Sequence, residues 1–389
     1  MMRVIVSGAL ANKPFNGGEA WVRLSWLRGL ERLGCDVFFL EQIAPDTCVD
    51  ACGAACTFAD SVNRAYFHQV VSRFGLDGRA ALACSDERSS SGATLAEIEA
   101  RCASADLLVN ISGHLRLPRF FDRIRRSAYI DIDPGYTQMW CVSGLDPSRV
   151  ADHQFAFTIG ENIGRAPCTI PTGGVQWRPT RQPVVLDDWP VVPSRTSAAR
   201  FTTVSSWRGA YGRVEHEGRT FGQKAHEFRK LCALPRHVDA AFELALDIHD
   251  ADAPDRTALA DHGWTLTDPR GVASTPDAFR DYVQQSSAEC SAAQGVYVDT
   301  RSGWFSDRSV RYLASGRPVL VQDTGFGGTI PTGDGLVPFR TLDEAADGAR
   351  DIVGHYERHA AAARRLAETH FESSAVIGRL LDDMGMAPR

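Results

Sequence analysis

The amino-acid sequence predicts an α/β protein of two Rossmann-like, doubly wound domains that face each other across a cleft. Three observations predict it. Short apolar runs without polar alternation, the pattern of strands buried on both faces of a parallel sheet, recur between helical stretches along most of the chain. That alternation is interrupted between Pro171 and Pro193, where five prolines fall in a stretch with neither helical nor strand periodicity. The length of 389 residues suits two domains of about 150–200 residues, each with its own core. The expected division is residues 1–178, a proline-rich linker at 179–199, a second domain at 200–370, and a terminal helix at 371–389.

The first strand is Arg3–Ser7, followed by the loop Ala11-Asn12-Lys13-Pro14-Phe15-Asn16-Gly17-Gly18. A helix follows from about Glu19 to Leu33, because Trp21, Leu24, Leu27 and Leu30 give a helical stripe and Gly34 ends it. Further strands are expected at Asp36–Leu40, Asp106–Asn110, Ala128–Ile132 and Phe155–Ile159. After the linker come Phe201–Ser205, Phe242–Ile248, Ala288–Ala293, Val319–Gln322 and Leu336–Phe339. A helix starting near Ser306-Asp307 precedes Val319, since Gly316 can take a positive φ at its end and Pro318 cannot continue it. The chain closes with helix from Leu342 to Met384, broken near Phe371-Glu372-Ser373.

Composition narrows the function. The chain is 44% hydrophobic and 23% charged, with no apolar run near the roughly 20 residues needed to cross a bilayer. Its opening apolar run is too brief for a signal peptide, so a cytoplasmic location is expected. A net charge of -6 argues against nucleic acid as a partner. Ten cysteines scattered through a long chain are expected to be reduced. Cys48, Cys52 and Cys56 would share one face if their segment were helical, as a packing face and not a metal site.

Four groups of residues can carry chemistry. Gly17 and Gly18 open a helix after a long loop, which differs from the tight dinucleotide-binding turn; they either let a ligand approach the backbone or are loop glycines without contacts. Ser206 and Arg208 follow the first strand of the second half, and Lys224 begins a helix nearby. Fixed positive charge of that kind suits a diphosphate without a metal, Arg as a planar fork and Lys as a point charge. Ser302, Gly303, Ser306, Asp307 and Arg308 form a loop entering a helix, with Thr324 and Gly325 after the next strand. Asp307 there either accepts ribose hydroxyls or caps the helix. In the first half, His114 follows a buried strand and Asp131 and Asp133 follow the next. His114 suits a sugar hydroxyl, a proton transfer or a structural role, and Asp133 an acceptor-side or structural role in preference to metal binding.

These residues resemble a known pattern. Gly17-Gly18-Glu19-Ala20, the segment Val109 to His114, the pair Arg208 and Lys224, and the run Ala314-Ser315-Gly316-Arg317-Pro318-Val319 are similar to motifs of the GT-B fold glycosyltransferases. The retaining family 4 and spore-protein-type enzymes are the nearest in pattern. The chain departs from them where two glutamates would precede the Gly-x-Pro run: Gly303 and Arg311 stand there, leaving Asp307 as the substitute carboxylate.

The resemblance implies a hexosyltransferase-like enzyme with no cofactor or metal. A nucleotide-sugar donor would be held by the second domain on Ser206, Arg208, Lys224, Ser302, Gly303, Ser306, Asp307, Arg308, Thr324 and Gly325, with Gly17 and Gly18 of the first domain also in the donor set. A small-molecule acceptor, such as a natural product, would be held by the first domain. Catalytic roles fall to His114, Asp133, Arg208 and Lys224, the terminal helix would cross back to the first domain, and a homodimer is compatible. The polar and aromatic loop from Pro134 to Trp140 suits a compact aromatic or peptidic acceptor. A non-catalytic sugar- or nucleotide-binding protein, and a nucleotide-sugar epimerase, share the same architecture.

Overall fold

The structure is a computed structural model that describes residues 1–145, 149–193 and 199–386. Its first sheet contains β1 (Arg3–Ser7), β2 (Asp36–Ile43), β3 (Ala80–Cys84), β4 (Ser90–Ser91), β5 (Leu107–Ile111), β6 (Ser127–Asp131), β7 (Phe155–Thr158) and β8 (Trp177–Pro179). Their order is β4-β3-β2-β1-β5-β6-β7-β8, parallel throughout except for β4.

The second sheet starts with β9 (Arg200–Ser206). A separate antiparallel hairpin of β10 (Val214–His216) and β11 (Arg219–Phe221) interrupts it before β12 (Ala241–Asp247). β13 (Trp264–Thr267), β14 (Ala288–Ser291), β15 (Val319–Gln322) and β16 (Leu336–Phe339) complete a fully parallel sheet of order β13-β12-β9-β14-β15-β16. In both sheets the strand order reverses beside the first strand, β1 or β9. Such a reversal opens a crevice at the carboxyl ends of the strands, where ligands of this class of fold bind.

Strands β3, β8 and β13 are not foreseen in the sequence. Ala80-Ala81-Leu82-Ala83-Cys84 lacks the β-branched and aromatic residues that mark strands, and only its burial on both faces makes it one. The segment with Cys48, Cys52 and Cys56 is a turn closed by a Val49–Ala55 bridge, so the three thiols share no helical face. All ten cysteines are free. Among the described residues no helix is long and apolar enough to cross a membrane.

The Gly17–Arg32 helix begins two residues earlier than its apolar stripe suggests, because the Asn16 side chain caps it by accepting from Glu19 N. Trp21, Leu24, Trp26, Leu27 and Leu30 are all buried. It packs on its own sheet and also on the Ser373–Asp383 helix, so closely that a Cβ at Gly29 would lie 2.5 Å from Ile377 Cδ1. The chain end thus returns to the first domain. Trp21 donates from Nε1 to Pro276 O (2.8 Å) in the second domain, and its ring sits 5.0 Å from Trp189, which in turn lies 6.2 Å from Phe279.

Each half keeps a core of its own, in the first around Ile5, Phe38 and Leu108, but the halves are also joined by shared packing. One apolar cluster joins Val4, Val6 and Trp21 to Phe279, Val310, Leu313 and Val319, while a second, around Phe201, Phe228 and Trp264, belongs to the second domain alone. The proline-rich connection is packed, with Val184, Val185 and Trp189 buried and Val184 bridging to Glu372. Linker positions 194–198 lie outside the described residues.

Candidate functional site

A cavity of about 410 Å³ lies between the domains at the carboxyl ends of β9, β12 and β13. Phe15, Asn16, Gly18 and Glu19 line it from the first domain; Ser205, Ser206, Lys224, Asp247, Asp268, Arg270, Asp307 and Arg308 line it from the second. An open groove of about 430 Å³ runs beside Arg3, Asp36 and Arg101, at the amino ends of β1 and β2. That is the wrong end of a parallel sheet for a ligand, and the interdomain cavity alone brings both halves together.

The first-domain wall is built on a buried carboxylate that sequence reasoning missed. Glu41, on β2 and fully buried, accepts from Leu10 N (2.8 Å), Ala11 N (2.7 Å), Asn12 N (3.0 Å) and Asn12 Nδ2 (2.8 Å). Burial pushes its pKa up, and the four donors work against that shift. They fix the loop that carries Phe15 to Glu19. The two glycines of this loop divide their roles: Gly18 lines the cavity, whereas a Cβ on Gly17 would lie 2.1 Å from Thr275 O, so Gly17 serves the close approach of the two domains.

The second-domain wall carries the cations. Lys224 Nζ donates to Ser205 Oγ (3.1 Å), and burial followed by the nearby Arg308 charge pushes its pKa down to about 7. Arg308 donates from Nε to Glu289 Oε1 (2.6 Å), from Nη1 to Val204 O (3.0 Å) and from Nη2 to Ser291 Oγ (2.6 Å). Burial opposes its charge, but the fully buried Glu289 outweighs that and raises its pKa. The guanidinium is therefore clamped and charged at the ends of β9 and β14, with two of its five N–H groups uncommitted in these contacts.

Asp307 lines the cavity, and the alternatives for it separate. Ser306 is the residue that caps the Asp307–Ala314 helix, accepting from Arg308 N (3.2 Å), so the Asp307 carboxylate is not used as the cap. Arg311 is fully buried and donates to Asp307 O (2.5 Å) and Asp307 Oδ2 (3.2 Å). An arginine thus orients the carboxylate that lines the cavity. Glu19 is held in the same way by Arg23, and its pKa is lowered: burial raises it, and Arg23 more than compensates.

Several expected donor residues are elsewhere. Arg208 is half-exposed and gives its fork to Asp252, with Nε and Nη2 each 2.8 Å from a carboxylate oxygen, outside the cavity. Ser302, Gly303, Thr324 and Gly325 form an interdomain socket. Asn162 of the first domain donates from its backbone N to Ser302 O (3.1 Å) and from Nδ2 to Arg301 O (3.0 Å) and Gly325 O (3.1 Å), while Gly303 N bonds Thr324 O (2.9 Å). Gly303 (φ +77°) and Gly325 (φ +92°) leave room for it: a Cβ on either would lie 2.9 Å from an Asn162 side-chain atom. Of the expected donor set, Gly18, Ser206, Lys224, Asp307 and Arg308 line the cavity.

On the first-domain side, His114 Nε2 lies 2.9 Å from Gln42 O and its pKa is pushed down to about 3, by burial first and the Arg23 charge second. A neutral ring donating to that carbonyl from Nε2 is a structural hydrogen bond. Asp131 is buried and accepts from Thr137 Oγ1 (2.8 Å), Gln138 Nε2 (2.7 Å), Thr158 Oγ1 (2.7 Å) and Asp133 N (3.1 Å), which occupies both its oxygens. The Asp133 carboxylate is turned instead to the hydroxyls of Tyr211 and Tyr297 in the second domain. Burial, then the Asp131 and Glu19 charges, push its pKa up to about 7. No group of three or more metal-ligating side chains occurs among the described residues.

No protein-family model matches the sequence, and no curated protein matches it. In structure it is similar along nearly its whole length to solved glycosyltransferases. A glycosyltransferase from Rickettsia africae ESF-5 aligns with a TM-score of 0.55 and 11% identity, over 98% of this chain and 97% of the other. AviGT4, a glycosyltransferase involved in avilamycin A biosynthesis, gives 0.55 and 13%, over 98% and 97%. HepE of Anabaena, solved in complex with UDP-glucose, gives 0.59 and 11%, over 99% and 100%. The likeness is one of fold: two Rossmann-like domains in the GT-B arrangement.

Proposed function

We propose that the chain is a metal-independent glycosyltransferase that moves a sugar from a nucleoside diphosphate to a small acceptor. The observation that carries this reading is the pairing of Lys224 with the clamped Arg308 beside Ser205 and Ser206, at the strand-order reversal and inside an interdomain cavity. When the bond between the anomeric carbon and the diphosphate breaks, negative charge grows on the leaving phosphate. Two cations already in place stabilise that charge without reorganising, which is the largest single source of rate in sites of this kind. The arginine of the cationic pair is Arg308, in place of Arg208.

Asp307, oriented by Arg311, accepts the ribose hydroxyls; Glu19 offers a second acceptor from the facing wall. Asp133 belongs to the acceptor side. Retention of configuration follows the family 4 resemblance, and a product of inverted anomeric configuration would count against that part alone. The HepE complex makes UDP-glucose the first donor to try.

The test is a thermal-shift panel of UDP, GDP, dTDP and their common sugars, run in EDTA. A ligand at a hundred times its Kd adds about 2.7 kcal/mol to the native state. Stabilisation by one nucleoside diphosphate, lost in Lys224→Ala, is expected. The absence of any shift, with or without magnesium, would sink the donor assignment.

A further inference from the structure

Around Asp133 the two domains build a second, smaller site. Tyr211 OH lies 3.3 Å from Asp133 Oδ2 and Tyr297 OH 3.4 Å from Oδ1. The Tyr211 ring is flanked by first-domain aromatics on the Tyr136–Val142 helix: its centroid is 5.0 Å from that of Tyr136 and 4.9 Å from that of Trp140, the latter edge-on at 86°. Tyr297 stacks on Trp304 at 4.5 Å. The result is a slot bordered by the aromatic rings of one helix with a carboxylate at its end, and a phenol from the protein itself occupies it.

The occupant comes from the surface. Tyr211 sits in the loop between β9 and β10, flanked by the exposed Ala210, Gly212 and Arg213, whereas Tyr136 and Tyr297 are 2% and 4% exposed. Withdrawing Tyr211 would give up its ring contacts with Tyr136 and Trp140 and leave Tyr136 and Tyr297 packed with Ile163, Ile170 and Val296. We propose that this slot is the acceptor subsite, that its ligand is a hydroxylated aromatic ring, and that Tyr211 is an internal mimic which the acceptor displaces. The proposal rests on the glycosyl-transfer reading above and names the acceptor class for it.

Two features favour a phenol over a saccharide. Two neighbouring rings of one helix meet Tyr211 at distances that suit offset and edge-to-face packing of flat rings. Tyr297 already holds Oδ1 of the Asp133 carboxylate, so withdrawing Tyr211 frees Oδ2 for one hydroxyl, the number a simple phenol offers, and a sugar's other hydroxyls would face aromatic side chains. A bound phenol would put its O–H on Asp133, and Glu19, close enough to raise the Asp133 pKa, carries the slot toward the donor cavity.

The experiment is a fluorescence titration of the full chain with 4-methylumbelliferone, its O-methyl ether and methyl glucoside. Tyr211→Ala should bind the phenol about tenfold more tightly than the native chain. Adding Asp133→Asn to Tyr211→Ala should return that gain, and the ether should bind about tenfold more weakly than the phenol, since each change removes a hydrogen bond to a charged group. Tyr211→Phe keeps the ring and fold and should show a smaller gain, about threefold, so the proposal stays testable if the alanine variant does not fold. Equal phenol affinity in Tyr211→Phe, Tyr211→Ala and native chains would overturn the proposal, as would tighter binding of methyl glucoside than of the phenol. Nucleoside diphosphate binding, followed by thermal shift in the same variants, should be unchanged. Its absence in the native chain would overturn the transfer reading itself, a result the phenol titration cannot produce.

Discussion

The loop after β9 and the loop after β15 look alike in sequence and do opposite things. Each combines hydroxyl residues with glycines, Ser205 and Ser206 at the end of β9 with Gly209 and Gly212 behind them and Thr324 with Gly325 after β15, and both leave the carboxyl end of a parallel strand. At the β9 end the facing wall recedes, and Ser205, Ser206, Lys224 and Arg308 border a cavity of about 410 Å³. At the β15 end Asn162 fills the space, and Gly303 and Gly325 exist to admit it. A Gly- and Ser-rich strand end therefore signals a close approach of something; whether that is a ligand or the other domain depends on what the other domain presents.

The sharpest way to break the comparison is Arg308→Ala. It strips the partner from the fully buried Glu289, and losing one member of such a pair costs about 3–5 kcal/mol, which urea denaturation would read as a lowered midpoint. An unchanged midpoint would mean that the clamp at the β9 end is decorative. Lys224→Ala should leave folding nearly intact and weaken nucleoside diphosphate binding by about 10–100-fold, the worth of one hydrogen bond to a charged group, in a calorimetric titration.

The same titration has a pH signature. Free Lys224 loses its proton near pH 7, and a bound diphosphate restores the charged form. Binding must then take up a proton above pH 7, and affinity should fall as pH rises, by at most about tenfold per pH unit. Heats measured in buffers of different ionisation enthalpy count that proton, and a pH-independent affinity would remove Lys224 from the diphosphate.

At the β15 end, Asn162→Ala should lose about 1–2 kcal/mol of stability from two side-chain hydrogen bonds while leaving nucleotide affinity within about twofold. A large loss of affinity instead would return Gly303 and Gly325 to the donor site. The smallest effect belongs to Arg208→Ala. Its fork is spent on the buried Asp252 outside the cavity, and nucleotide affinity should stay within about twofold of native.

The main strands and the first helix were legible because burial on both faces of a parallel sheet leaves uninterrupted apolar runs, and because Gly34 and Gly316 end helices. Strands such as Ala80–Cys84 were not, since alanine carries no strand preference and only the neighbouring strands make one of it. Lys224, Asp307 and Arg308 were readable as charges beside strand ends. Arg208 has the same local signature and differs only in having Asp252 within reach, a long-range fact that spacing does not encode. Glu41 and Glu289 had a signal that went unused: each is a lone carboxylate inside a buried strand, where an acid persists only if several donors or a cation meet it. Asn162 and Tyr211 had none, because each acts across the interface on residues more than 75 positions away.

The Gly17–Arg32 helix, buried by its own sheet, by the Ser373–Asp383 helix and through Trp21 by the second domain, has a consequence for how the chain is made. During synthesis its first half is complete long before the residues that cover Trp21 and Gly29 leave the ribosome. A nascent chain ending at the proline-rich connection leaves uncovered the parts of this helix that meet Pro276 and Ile377. Heating should accordingly melt both halves in a single calorimetric transition, and a fragment ending near residue 190 should expose those parts of the helix, bind hydrophobic dyes and associate, until the missing half is supplied in trans.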